Sequence, residues 1–174
     1  MVLYRRNRLL GGTYFFTINL RRRSATVLVD YIDDFRTALS SVKREKPFVI
    51  EAMVVLPNHI HALWRLPQGD DDYAVRIRLL KTRFVRLVRK SGFAVQKNAS
   101  NEYDLWQRRY WEHTICDDSD FNNHVDYIHW NPVKQGHARH VADWPYSTFH
   151  QYVSKGTIPL NWSTTPDEGD YGEP

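Results

Sequence analysis

The sequence predicts an α+β domain, an antiparallel sheet with helices packed mainly on one face. Three observations lead there. Runs rich in aromatic and β-branched residues, bounded by Gly, Pro or charge clusters, mark four strands. Apolar residues recurring at spacings of three and four mark three helices between and after them. The resulting order β-α-β-β-α-β-α joins the second and third strands by a tight turn, which makes them antiparallel neighbours.

Each element has a local reason. Residues 1–10 form a basic arm that carries Arg5 and Arg6. Thr13 to Leu20, after Gly11-Gly12, reads as the first strand, and Arg21, Arg22 and Arg23 mark a solvated turn. Leu28, Ile32, Phe35, Leu39 and Val42 give one face of a helix over about residues 26–44. Phe48 to Leu56 and His59 to Leu66 form a hairpin across Pro57-Asn58. Asp70, Asp71 and Asp72 suit the start of a helix over about 73–90. Leu105 to Ile115 is the fourth strand. The acids at 117, 118 and 120 open a helix to about 130, which Pro132 is expected to end. A short amphipathic piece runs to about 154. Residues 1–155 make one domain, and 156–174, rich in Gly, Pro and Asp, are expected to form a flexible tail.

The chain has 174 residues, 42% hydrophobic and 14% aromatic, enough for one domain with a substantial core. A formal charge of +4 leans toward polyanionic partners. Cys116 is the one cysteine, which excludes an internal disulfide framework and a cysteine-based zinc site and suits a reducing, intracellular setting. No apolar run is long enough for a signal peptide or a membrane span.

His59 and His61 alternate with Ile60 and Ala62, so both imidazoles lie on one strand face, about 7 Å apart along the chain. Such a pair can converge on a divalent ion. It can equally be two hydrogen-bonded histidines, and by itself it does not choose among hydrolases, oxygenases and nucleases.

The stretch RIRLLKTRFVRLVRK buries Ile77, Leu80, Phe84, Leu87 and Val88 on one helix face. Arg76, Arg78, Lys81, Arg83, Arg86, Arg89 and Lys90 occupy the rest, with no acid between residues 76 and 90. Solvated faces usually mix signs, so a face of one sign points to phosphates. In WQRRYWEH, Arg108 and Arg109 alternate with Trp106, Tyr110 and Trp111. This suits unpaired bases as well as a half-buried strand.

On the last long helix, Phe121, His124, Val125 and Ile128 form the packed stripe. Tyr127 lies about 110° from its centre, at the edge of the core. Asp120, His124 and Asn131 flank it at helical spacing.

LPNHIHALW, WQRRYWEHTI and HVDYIHWNPVKQG…DWPYSTFHQY, in this order after GGTYFFTINL, resemble the REP-associated tyrosine transposases. These are single-tyrosine members of the histidine–hydrophobic–histidine (HUH) endonucleases. The resemblance covers about residues 5–155. It implies a ferredoxin-like sandwich, with His59 and His61 holding Mg²⁺ or Mn²⁺ and Tyr127 as the nucleophile that forms a 5′-phosphotyrosine. Asn131 stands where related enzymes often carry Gln as a third metal ligand, and Gln135 stands where many relatives have His. Lys134 is positioned to support the phenol electrostatically.

The resemblance also implies a metal-dependent endonuclease and strand transferase acting on single-stranded DNA with hairpins of the repetitive extragenic palindrome type. Arg5, Arg6, Arg21, Arg22, Arg23, Arg76, Arg78, Lys81, Arg83, Arg86, Arg108 and Arg109 would grip the DNA. The expected setting is the bacterial cytoplasm, at the nucleoid when DNA-bound. Residues after about 136 would cover the surface through which smaller relatives dimerise, giving a monomer. Two alternatives stand beside this: a non-catalytic DNA-binding or regulatory protein of the same fold, and a metallohydrolase of small phosphorylated substrates.

Overall fold

The computed structural model describes residues 8–165, 169 and 171–172. Arg5 and Arg6 lie outside them. Four strands, β1 (Thr13–Asn19), β2 (Val49–Val55), β3 (His59–Arg65) and β4 (Trp111–Thr114), form one antiparallel sheet in the order β2-β3-β1-β4. The helices are α1 (Val27–Asp30), α2 (Ile32–Glu45), α3 (Tyr73–Lys90), α4 (Asp118–Lys134) and α5 (Phe149–Ser154).

Alternation along β1 and β3 divides the core in two. Tyr14, Phe16 and Ile18 of β1 and Ile60, Ala62 and Trp64 of β3 face α1, α2 and α3, where Phe35, Leu39, Ile77, Leu80 and Phe84 complete the larger cluster. Phe15 and Leu63 face the other way, packing with Ala52 and Val54 of β2 against Val125, Tyr127 and Ile128 of α4. Each fully buried large apolar side chain contributes about 1.5–3 kcal/mol. The expectation of helices mainly on one face holds for α1–α3. Helix α4 takes the opposite face, and that separates the His59/His61 side of the sheet from the arginine-rich helix.

Several boundaries differ from the sequence reading. The first helix breaks at Tyr31, so α1 and α2 are separate. Strand β4 is four residues long, and Trp106 makes only an isolated bridge to Leu20. Pro132 lies inside α4. Its missing N–H removes one helical bond close to the C-terminus, and the Pro132 carbonyl still accepts from His137 N–H (2.8 Å). The acids do open α3 and α4: Asp72 accepts from Val75 N–H and Asp117 from Asp120 N–H.

The segment after α4 covers the outer edge of β2. Tyr146 carbonyl accepts from Val55 N–H (2.9 Å), Thr148 Oγ1 accepts from Met53 N–H (2.9 Å), and Trp144 Nε1–H donates to the Val55 carbonyl (3.0 Å). An otherwise open sheet edge is thereby paired within the chain.

Candidate active site and nucleic-acid surface

Register places His61 opposite Thr17 and His59 opposite Asn19, on the face that meets α4. Both imidazoles are buried, and their ring centroids lie 4.8 Å apart. Hydrogen bonding sets both tautomers. Thr17 Oγ1 donates its one proton to the Tyr171 carbonyl (2.5 Å), so it accepts from His61 Nδ1–H (2.8 Å). Asn58 Nδ2 donates to the Arg23 carbonyl, leaving Asn58 Oδ1 to accept from His59 Nδ1–H (2.6 Å). Each Nε2 therefore carries a lone pair. Among the described residues, His61 Nε2 is buried with no hydrogen-bond partner. Burial, with His59 and Lys134 adding, holds the His61 pKa well below the usual value, so the ring is neutral at physiological pH. Two imidazoles with their Nδ1–H groups held by Thr17 and Asn58 are a donor set suited to a divalent ion.

Helix α4 lays Tyr127 over this pair. Its ring lies 5.1 Å from that of His61 and 6.1 Å from that of Phe15, both nearly perpendicular. Lys134 Nζ stands 5.0 Å from the centre of the Tyr127 ring. Asn131, one turn further on, is fully buried on the same helix. Tyr127, read from sequence as a core-edge residue reaching a cleft, is 1% exposed. The reason is the chain's end. Tyr171 stacks on Tyr127 with centroids 3.6 Å apart and planes at 9°. Gly172 fits beside it with φ +63°, where an added Cβ would come within 2.3 Å of the Trp111 side chain. Part of the segment expected to be a flexible tail is thus core.

One turn toward the start of α4, His124 meets Phe15 (4.7 Å) and Tyr171 (5.2 Å). Asp120 lies between two histidines: His113 Nε2 of β4 is 2.8 Å from its Oδ2, and His124 Nδ1 is 3.0 Å from its Oδ1. Burial pushes the Asp120 carboxyl up, but the Cys116 N–H and His113 outweigh it, and the net pKa is lowered. Burial lowers His124.

On the opposite face of the sheet, α3 borders a cleft of about 1160 Å³ with the segment before β4. Arg21, Arg78, Lys81, Arg86, Arg89 and Arg108 line it, interleaved with Tyr103, Trp106 and Tyr110. Lys81 Nζ donates to the Gln107 carbonyl (2.9 Å) and lies 5.4 Å from the Tyr110 ring centre, and Arg89 stacks 4.1 Å over Tyr103. Arg21 is close to Asp104 (3.7 Å), Arg22 donates to Gln96, and Arg22, Arg23 and Arg109 are exposed.

Two arginines of α3 stand elsewhere. Arg76 is buried, paired with Asp70 (2.7 Å) and donating to the carbonyls of Lys46, Pro47 and Asp72, so it is a structural tie and not a DNA contact. Arg83 turns to α2, donating to Ser41 and pairing with Glu45. The sequence reading missed Thr17, Asn58, His113 and Tyr171 beside the histidines and α4, and Tyr103, under Arg89, in the cleft. Only Asp120-x-x-x-His124 on one helix gave a local signal.

Comparison with known proteins bears on these features together. The family described as transposase IS200-like matches residues 12–131. A REP-associated tyrosine transposase of Escherichia coli (strain K12) is 43% identical over 170 residues, covering 98% of this chain and 96% of that one. A chain of Haemophilus influenzae, provisionally named the same way, is 48% identical over 166 residues, covering 94% of each. A solved structure of a REP-associated tyrosine transposase bound to a REP hairpin superposes with a TM-score of 0.88 at 42% identity, covering 100% of this chain and 98% of that one.

Proposed function

This chain belongs to the family of IS200-like transposases, and from that premise we propose that it cuts and rejoins single-stranded DNA beside hairpin-forming repetitive palindromes. Tyr127 is the nucleophile, and His59, His61 and Asn131 hold Mg²⁺ or Mn²⁺. The observation that carries the reading is the approach of Tyr127 on α4 to His61 on β3, 5.1 Å between rings, beside imidazoles whose Nε2 atoms bear lone pairs.

The bound ion would supply positive charge that polarises the phosphate and stabilises the leaving 3′ oxygen. The chain's own residues do the rest. Tyr127 Oη attacks phosphorus in line, the P–O3′ bond breaks, and a 5′-phosphotyrosine remains. The phenol gives up its proton as the bond forms, and the departing 3′ oxygen takes one up. Attack by a 3′-OH reverses the step and joins strands without further energy input. Lys134 above the Tyr127 ring favours the phenolate electrostatically.

The basic cleft on the far side of the sheet suits a hairpin, its cations meeting the phosphates of the stem and its aromatics meeting unpaired bases of the loop or flank. DNA engaged there reaches Tyr127 by passing around an edge of the sheet. The relative solved with a REP hairpin supports that substrate. Both halves of the site come from one chain and the β2 edge is covered, which supports a monomer; a substrate of repetitive palindromes carries with it a setting in the bacterial cytoplasm on nucleoid DNA. No helix among the described residues is long and apolar enough to cross a membrane.

A palindromic single-stranded oligonucleotide incubated with Mn²⁺ should yield a covalent adduct on a denaturing gel. Tyr127→Phe should lose it while retaining binding. Undiminished adduct in that variant removes Tyr127 as nucleophile. Binding without an adduct in the wild-type chain favours the non-catalytic alternative.

A further inference from the structure

His113, Asp120 and His124 are not used by the reaction above, yet their ligating atoms all lie within 4.8 Å of one another. We infer that they form a second divalent-metal site, of the two-imidazole, one-carboxylate type that takes Zn²⁺ or Mn²⁺, and that its ion ties the edge strand β4 to the first turn of α4.

The donor set is the first argument. Two imidazoles and one carboxylate, with further positions open to water, bind first-row divalent ions. The spacing is the second. Bonds of roughly 2.1 Å put neighbouring donors about 3 Å apart in an octahedral arrangement and about 3.4 Å apart in a tetrahedral one. The distances from Asp120 oxygens to His113 Nε2 and His124 Nδ1 are 2.8 and 3.0 Å. Preorganisation is the third. Asp120 and His124 are one helical turn apart, and the Asp120 carboxylate is oriented by Cys116 N–H (2.8 Å) and already ionised. The His113 side chain is 38% exposed and Asp120 20%, so an ion can enter from solvent.

Binding has a stated cost. The His113 and His124 rings are stacked at 12°, so His113, the most exposed of the three, turns out of the stack to aim Nε2 at a shared ion. His124 Nδ1, within 2.8 Å of the Asp120 carbonyl, exchanges that hydrogen bond for the metal, and the ring proton moves to Nε2. His124 precedes Tyr127 by three residues on the same helix, and Tyr171 touches both rings. An ion here would therefore fix the nucleophile's helix against the sheet while taking no part in phosphate chemistry.

The test is metal counting on the full chain. Metal-free protein is loaded with Zn²⁺, desalted and analysed for zinc, with thermal unfolding followed in parallel. The wild-type chain should retain about two ions, and Asp120→Asn and His113→Gln about one each. The His59→Ala/His61→Ala double variant should also retain about one. In that double variant zinc should still raise the unfolding temperature, and in Asp120→Asn that remaining rise should fall. His113→Gln alters a partly exposed ring and keeps the comparison valid if the Asp120 variant folds poorly. A wild-type chain holding one ion that vanishes with His59 and His61, or an Asp120→Asn chain holding as much zinc as wild type, overturns the site. One ion lost only with Asp120→Asn supports it while removing the ion from His59 and His61, so the two assignments fail separately.

Discussion

The ring of Tyr171 lies flat on the ring of Tyr127, 44 residues earlier in the chain, with 3.6 Å between centroids. The Tyr171 carbonyl also takes the hydroxyl proton of Thr17, the residue that orients His61. The end of the chain thus covers the tyrosine and contacts the shell of the histidine pair. Removing that cover should speed formation of the covalent adduct. An aromatic stack is worth about 0.5–1.5 kcal/mol, so Tyr171→Ala should raise the initial rate roughly 2–10-fold. Gly172→Ala should act in the same direction, because its Cβ collides with Trp111. Rates equal to wild type in both variants would show that the contact does not limit access.

Thr17 and Asn58 fix the histidine tautomers through Nδ1, the ring nitrogen away from the proposed ion. Thr17→Val and Asn58→Ala should each weaken Mn²⁺ binding by about 10–100-fold with the fold intact, as measured by titration calorimetry and circular dichroism. Unchanged affinity in both would mean that the tautomers are set some other way.

Burial, with the charge of His150 adding, holds the pKa of His129 at about 4. The unfolded chain takes up this proton near pH 6.5, and the native one resists it. Stability is therefore full above about pH 6.5 and falls as the pH drops toward about 4. At about 1.4 kcal/mol per pH unit this site alone costs up to roughly 3 kcal/mol. Burial pushes His61 and His124 the same way. Urea unfolding at pH 7.5 and 4.5 should show a smaller loss in His129→Gln than in wild type. Equal losses would place the pH dependence elsewhere.

Arginines of α3 should divide by location. Arg76→Ala strands Asp70 and several backbone carbonyls, and should lower stability by about 2–4 kcal/mol, allowing for the partial exposure of Asp70. Arg78→Ala and Arg86→Ala, at exposed positions in the cleft, should leave stability within about 0.5 kcal/mol. Each should reduce the salt-dependence slope of hairpin binding by about one if it meets a phosphate. Arg76→Ala should leave that slope unchanged.

Much of the site was legible because it is local. Strand alternation put His59 and His61 on one face, and helical spacing put His124, Tyr127 and Asn131 on one helix. Charge count marked α3 as a phosphate-binding helix, but could not tell Arg76 from Arg78. Two residues on one helix can face opposite surroundings, and only the packing of α3 against the loops at Lys46 and Asp70 shows which one is buried. Tyr127, placed by helical phase at the edge of the core, is fully covered by Tyr171 for a similar reason. Helical phase gives the direction of a side chain but not what another segment lays over it.

By itself, then, the sequence determined the element order, the same-facing histidines, the helix that carries Tyr127 and the basic character of α3. All follow from periodicities of two and 3.6 residues acting within one segment. Tertiary structure alone decided that α4 crosses to the sheet face opposite α3, that Thr17 and Asn58 fix the imidazole tautomers, that Asp120 lies between two histidines, and that Tyr171 closes over Tyr127. These depend on contacts between distant segments, set by which buried surfaces fit together, and no local pattern encodes them.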